Sequence, residues 1–287
     1  MLWGSSYLWL KVGVQTIPPL TLIAGRTLIA GGLLYLYVRQ QGLRMPPLLS
    51  VNAHSARIVN PVWWQFAIQA LLNCVVPFLL IAWAMQTVPA GVATILNSTS
   101  PVFVFLATWL ITRHEAVSVQ KLIGVAAGIS GICLIVGPTA LAGLGDQLVP
   151  QLAIVFATLC YAAAVLYGRA FHGLPPAMPA AGSMIVGAIL LCPVSLLLDA
   201  PWALRPSWAS LGALLMLSVF STALAFAIYF RLLKTLGSVG VTAQAYLRVP
   251  VGVGLSLFVL GESLAPTAWM GLVLAIVGVV AMVWQRK

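Results

Sequence analysis

The sequence predicts an all-α, polytopic membrane protein: ten transmembrane helices in two inverted five-helix repeats. Composition, span length and an internal repeat carry this expectation. The 287 residues are 62% hydrophobic and 6% charged, with a mean hydropathy of +1.07. Soluble domains are about 25% charged, so a water-exposed globule is excluded. A bilayer-crossing helix needs about 20 mostly apolar residues. Cutting the chain at Pro, Gly and charge clusters leaves ten runs near 2–16, 19–38, 63–87, 90–112, 118–137, 150–170, 177–198, 208–233, 239–260 and 266–284. The first is short and begins abruptly, with Trp3 already inside it, which leads us to expect a few cytoplasmic residues ahead of it.

The repeat sets the domain organisation. Gly91–Pro101 reads GVATILNSTSP and Gly240–Pro250 reads GVTAQAYLRVP. Each is followed by an apolar run and an isolated acid, Glu115 or Glu262, then by Gly124 and Gly131 or Gly271 and Gly278 at matching offsets. Matches in one order point to a duplicated unit, with residues 1–140 and 148–287 as the two repeats. Five spans per half is an odd number, so the second copy enters the membrane from the opposite side. That geometry puts a substrate site between the halves, near the midplane.

Charge orients the spans. The net charge of +10 would suggest nucleic acid in a soluble protein, but here the basic residues sit between apolar runs. Arg39, Arg44, Arg57, Arg113, Lys121, Arg169, Arg231, Lys234, Arg286 and Lys287 all fall on one side, which the positive-inside rule makes the cytoplasm. Lys11 and Arg205 lie near the other side with Asp146, Asp199 and Glu262. Both termini are therefore expected in the cytoplasm. His54, His114 and His172 fall in or beside cytoplasmic loops, and Trp63, Trp64, Trp202, Trp208, Trp269 and Trp284 fall near span ends as interfacial anchors. The four cysteines lie singly in apolar segments without metal-ligand spacing and read as packing residues. No metal and no cofactor are expected.

Proline locates the candidate site. A helical proline leaves the carbonyl four residues earlier without its donor, and in lipid that carbonyl needs another partner or water. Pro101 frees Asn97, Pro250 frees Tyr246 and Pro77 frees Asn73, each a residue with a polar side chain. Asn97, Tyr246 and Asn73 are thus candidate cavity residues, with Ser100 beside them; Pro77, Pro101 and Pro250 are candidate hinges. The competing reading is that the prolines only kink helices and the amides bridge neighbours, while Ser98 and Ser100 bond their own helix. Arg248 sits about midway along the ninth span, where an arginine costs at least ~2.5–3.5 kcal/mol on insertion scales. It does not deprotonate, and all four acids lie at span ends or in loops. Two readings stay open: a snorkelled or hydrogen-bonded structural arginine, or the counter-charge for a substrate carboxylate. Arg26, two turns from an outer end, is expected to snorkel.

These features resemble the drug/metabolite transporter superfamily: the WGSSYLW opening at Trp3, the proline-bearing fourth and ninth spans, and the E-x8-G pattern closing each half. Within it the chain is most similar to the EamA-type branch, which includes amino-acid exporters of the YddG type. The resemblance covers essentially the whole chain. It implies a bacterial inner-membrane exporter of small metabolites, working in the bilayer without nucleic acid or an obligate protein partner. It also draws attention to Trp3 and Tyr161, which hold comparable places in the opening spans of the two halves; Phe78, beside Pro77, joins them as an apolar lining candidate. The superfamily's short relatives use a first-span glutamate for cationic drugs, and here the first span MLWGSSYLWLKVGV has none.

Amino-acid export is the leading expectation, with other small molecules, lipophilic drugs or a channel as alternatives. An intramembrane enzyme would need a nucleophile with a base, or metal ligands; the midplane offers Ser, Asn and Tyr without His, Asp or Glu, so no catalytic residue is assigned. No G-x-x-x-x-G-K motif occurs, which argues against direct ATP drive.

Overall fold

The computed structural model describes residues 2–51, 57–107, 109, 119–136, 148–229 and 244–283. A helix lies within each expected apolar run. In chain order they are α1 (Ser6–Gly13), α2 (Pro19–Gln40), α3 (Pro61–Ala84), α4 (Ala90–Asn97), α5 (Ser100–Ala107), α6 (Val119–Val136), α7 (Leu148–Tyr167), α8 (Ala177–Leu198), α9 (Trp208–Tyr229), α10 (Gln244–Phe258) and α11 (Pro266–Val283). Among the described residues, six helices are long and apolar enough to cross a membrane: α2, α3, α4 continued into α5, α7 with its 3-10 extension, α8 and α9. Shorter apolar helices lie within α6, α10 and α11.

Local chemistry starts these helices. Pro19 and Pro61 occupy first-turn positions of α2 and α3, where a missing N–H removes no helical hydrogen bond. The Asn60 side chain accepts from the Val62 amide at 3.1 Å, and Ser207 Oγ accepts from the Ser210 amide at 3.1 Å, satisfying amides the helix cannot. The polar stretch between α2 and α3 contains a small antiparallel strand pair in which Leu49 faces Val59 and Val51 faces Arg57.

Several of the described spans depart from α geometry. Leu71–Val75 of α3 and Met216–Leu224 of α9 are π-helical. The Pro101 span breaks instead: α4 ends at Asn97 and α5 begins at Ser100. By contrast, Pro250 lies inside the unbroken α10.

The most extensive packing joins α6 to α11 and α2 to α8. Glycine explains the first pairing. A Cβ on Gly131 would stand 2.9 Å from the Gly271 carbonyl oxygen, and one on Gly271 would stand 2.7 Å from that of Gly131. The backbones touch because neither residue has a side chain, the small-residue packing available where lipid removes the hydrophobic drive. Leu22, Ile23, Leu34, Ile95, Ile154 and Leu217 are fully buried between helices. Large apolar side chains such as Leu197, Trp208 and Phe258 are 83%, 90% and 89% exposed. In water this surface would be an aggregation hazard; in a bilayer it is the solvated surface.

Candidate functional site

The site is built around Tyr7, a buried side chain on α1. Gly4 brings α1 close: a Cβ there would lie 2.8 Å from the Arg248 carbonyl oxygen of α10. One turn on, the Tyr7 hydroxyl receives two donors. Arg248 Nη2 donates to it at 2.5 Å, and Asn97 Nδ2 donates to it from the last residue of α4. The Arg248 guanidinium carbon also stands 5.5 Å from the Tyr7 ring centroid. Two atoms of this cluster are buried without a hydrogen-bond partner among the described residues: Arg248 Nε, a donor, and Asn97 Oδ1, an acceptor.

A cavity of about 510 Å³ opens beside them between α4, α10 and α11. Asn97, Ser98, Ser100 and Arg248 form its polar part, while Ile95, Val253, Leu257 and Leu272 are among its apolar walls. A mostly apolar pocket of this size with a few convergent polar groups suits a small organic molecule. The break between α4 and α5 shapes its polar end. Pro101 deprives the Asn97 carbonyl of its helical donor, and Ser100 Oγ donates to it instead at 2.9 Å. Ser98 Oγ likewise donates to the Thr94 carbonyl at 2.6 Å. Both hydroxyl protons are therefore used on backbone carbonyls, leaving each oxygen free to act only as an acceptor.

A second cation lies nearby. Arg26 of α2 does not snorkel as expected: it is 8% exposed, donates from Nε to Thr222 Oγ1 at 3.0 Å, and holds its guanidinium carbon 3.7 Å from the Phe78 ring centroid. Distance from a helix end predicted an escape route, but the helices packed over that face close it. Thr222 lies within the π-helical Met216–Leu224, and Phe78 lies in the α-helical stretch that follows the π turn Leu71–Val75.

The sequence candidates therefore divide. Arg248, Asn97, Ser100 and Pro250 line one cavity. Phe78 belongs to the Arg26 side and Tyr161 packs against the main core, and neither they nor Trp3 and Asn73 line that cavity. Trp3 packs on Phe226 and Tyr229, with ring centroids 5.5 and 5.6 Å away. Asn73 is half-buried, with Nδ2 3.9 Å from Cys74 Sγ, and buried Pro77 follows the π turn. Tyr246 and Pro101 fall within helices, but their side chains lie outside the described residues. Glu115, Asp146, His54, His114, Trp284 and Gly240 also lie outside them.

Tyr7 was not among the sequence candidates. Sequence reasoning also missed a set of charged clamps at the helix ends. Glu262 accepts from the Ala90 and Gly91 amides at 2.9 and 3.2 Å, and from the Ser256 hydroxyl. Lys11 Nζ donates to the Met85 and Val88 carbonyls at 2.8 and 3.0 Å. Asp199 accepts from the Thr21 amide and hydroxyl at 3.0 and 2.6 Å. Acids at helix N-termini and a cation on carbonyls at a helix C-terminus complement the peptide dipoles. Glycine at position 91 was the available signal: a Cβ there would meet Ser256 Oγ at 2.8 Å.

A bundle of apolar helices with an apolar exposed surface and a partly polar cavity has the form of a multi-pass membrane protein that handles small solutes. The chain belongs to the EamA-like transporter family, which matches residues 1–137 and 149–284. It is thus a membrane transport protein for small molecules and not an enzyme. The uncharacterized inner membrane transporter YedA of Escherichia coli strain K12 is 26% identical over 283 residues, spanning 98% of this chain and 86% of YedA. The uncharacterized transporter YoaV of Bacillus subtilis strain 168 is 24% identical, spanning 88% of this chain and 82% of its own. Protein PecM of Dickeya dadantii strain 3937 is 26% identical, spanning 94% of this chain and 85% of its own. A crystal structure 17% identical in sequence covers 98% of this chain and 93% of that one with a TM-score of 0.65, a likeness of fold.

Proposed function

We propose that the protein exports small metabolites, amino acids foremost, across the bacterial inner membrane by alternating access. In this reading ten crossings form two inverted five-helix repeats, residues 1–140 and 148–287, with both termini in the cytoplasm. The pairing of α2 with α8 and of α6 with α11, which hold equivalent places in the two halves, supports that division. The observation that carries the substrate class is the pair of unpartnered atoms, Arg248 Nε and Asn97 Oδ1, grouped around Tyr7 at the cavity. A donor on a permanent cation suits a carboxylate, and an amide oxygen suits an ammonium. An α-amino acid presents both. The apolar walls then accommodate its side chain. Pro77, Pro101 and Pro250 mark flexure points for the rocking of one repeat against the other.

Purified protein in liposomes, loaded with a panel of amino acids and assayed for counterflow with and without a proton gradient, tests this. Saturable flux for at least one amino acid is expected, and Arg248→Ala should lower it at least tenfold. No saturable flux across the panel, or full activity in Arg248→Ala, refutes the reading. Flux rising linearly with concentration, far above carrier rates, would favour a channel.

A further inference from the structure

The cavity beside Arg248 has a graded wall. Asn97, Val249, Val253, Leu272 and Ala275 are 1% to 8% exposed, whereas Trp269 and Ile276 are 44% and 41% exposed and Pro250 is exposed with them. Facing the cavity alone thus leaves a side chain nearly buried. The three exposed residues also stand on the outside of the bundle, on the apolar surface that lipid solvates.

Helix register explains the mouth. Pro250, Val253, Gly254 and Leu257 recur at i, i+3, i+4 and i+7 along one face of α10, and Trp269, Leu272 and Ile276 at i, i+3 and i+7 along one face of α11. These two faces are the walls of a cleft that also meets Asn97 and Ser98 at the end of α4. Gly254 keeps it wide, since a Cβ there would have nothing within 4 Å. Pro250 is two residues from Arg248, about midway along its apolar run, and Ile276 lies inside α11 rather than at its end. The mouth therefore opens at hydrocarbon depth and not only among headgroups.

The chemistry of the cleft decides what fills it. Water entering from this side would cross hydrocarbon and meet apolar walls with few polar partners. An apolar cleft left unfilled forfeits dispersion contacts along its lining. A neighbouring acyl chain already stands at the mouth, and moving it inward buries no polar group. Lipid tails are as apolar as the walls, so packing alone holds the chain and it exchanges readily.

We propose that the cleft between α10 and α11 is a lateral opening of the cavity in which a bilayer phospholipid seats an acyl chain. The chain completes the apolar wall that the protein leaves open, and the site selects by packing of the chain rather than by headgroup. This goes beyond the amino-acid reading and does not depend on it.

The test uses the unaltered protein in liposomes of phosphatidylethanolamine and phosphatidylglycerol, doped with a phospholipid that carries a diazirine midway along one acyl chain. Adducts formed on irradiation are mapped by peptide mass spectrometry. Val253 and Leu272, inside the cleft, are expected to be labelled within about threefold of Phe156, which is 54% exposed on α7, and at least tenfold above Leu217, fully buried elsewhere. Labelling confined to Trp269 and Ile276, with Val253 and Leu272 at the level of Leu217, overturns the proposal, because the lipid then stops at the mouth. Gly254→Leu fills the cleft and should lower labelling of Val253 and Leu272 at least fivefold while leaving Phe156 unchanged; undiminished labelling also overturns it. If Gly254→Leu is not monodisperse by size exclusion, Gly254→Ala replaces it, with a decrease of about twofold expected. Transport is not the readout, so failure here leaves the export reading standing, and failure of amino-acid counterflow leaves the lipid site standing.

Discussion

Tyr7→Phe removes a single oxygen and has a calculable consequence. The ring stays, so packing on α1 is preserved, but Arg248 Nη2 and Asn97 Nδ2 both lose their acceptor. Hydrogen bonds between uncharged side chains in membrane helices average about 0.6 kcal/mol and reach about 1.7. Those made by charged groups contribute about 1.5–3 kcal/mol. The two losses together come to roughly 2–5 kcal/mol, divided between stability and substrate binding. If half of it falls on binding, apparent affinity drops by about 5- to 60-fold, since about 1.4 kcal/mol is tenfold. Thermal unfolding in detergent and concentration-dependent counterflow measure the two shares. A double-mutant cycle with Asn97→Ala should show coupling of about 0.5 kcal/mol or more, because the residues share one oxygen. Wild-type unfolding temperature together with wild-type apparent affinity in Tyr7→Phe would refute the hub.

Two other perturbations test the frame. Glu262→Ala leaves the Ala90 and Gly91 amides and the Ser256 hydroxyl without their acceptor, and should cost about 1–2 kcal/mol, read as a lower unfolding temperature. Gly131→Leu should prevent assembly of a monodisperse protein, because its Cβ alone would stand 2.9 Å from the Gly271 carbonyl oxygen; Gly212→Ala, with nothing within 4 Å of the new Cβ, should be tolerated.

Much of the architecture was legible because it depends on average properties. Apolar runs mark helices wherever lipid is the solvent, and matched glycines mark the α6–α11 contact because only absent side chains permit it. Pro101 drew attention to the freed Asn97 carbonyl, where the structure ends α4 and supplies Ser100 Oγ as the donor, the own-helix bond of the competing reading. What escaped depends on which way a side chain faces. Arg26 looked able to reach the interface, but burial is decided by neighbouring helices that local sequence does not reveal. Tyr7 escaped notice because its hydroxyl partners, Asn97 and Arg248, are distant in sequence. The strand pair near Leu49 lacks a strong turn signal and has strands of three residues. The π segment of α9 has no proline near it to announce it.

The π turns carry a consequence for phase. Each residue of an α-helix advances about 100° around the axis, and a π turn absorbs an additional residue without lengthening the contact face. Side chains after Leu71–Val75 are therefore rotated from where a continuous α-helix would set them. Removing one residue from that turn would restore an ordinary helix and swing Phe78 away from Arg26, while the apolar composition of α3 hardly changed. The arginine's aromatic platform thus depends on a count of residues rather than on their kind, and a hydropathy profile would pass over its loss.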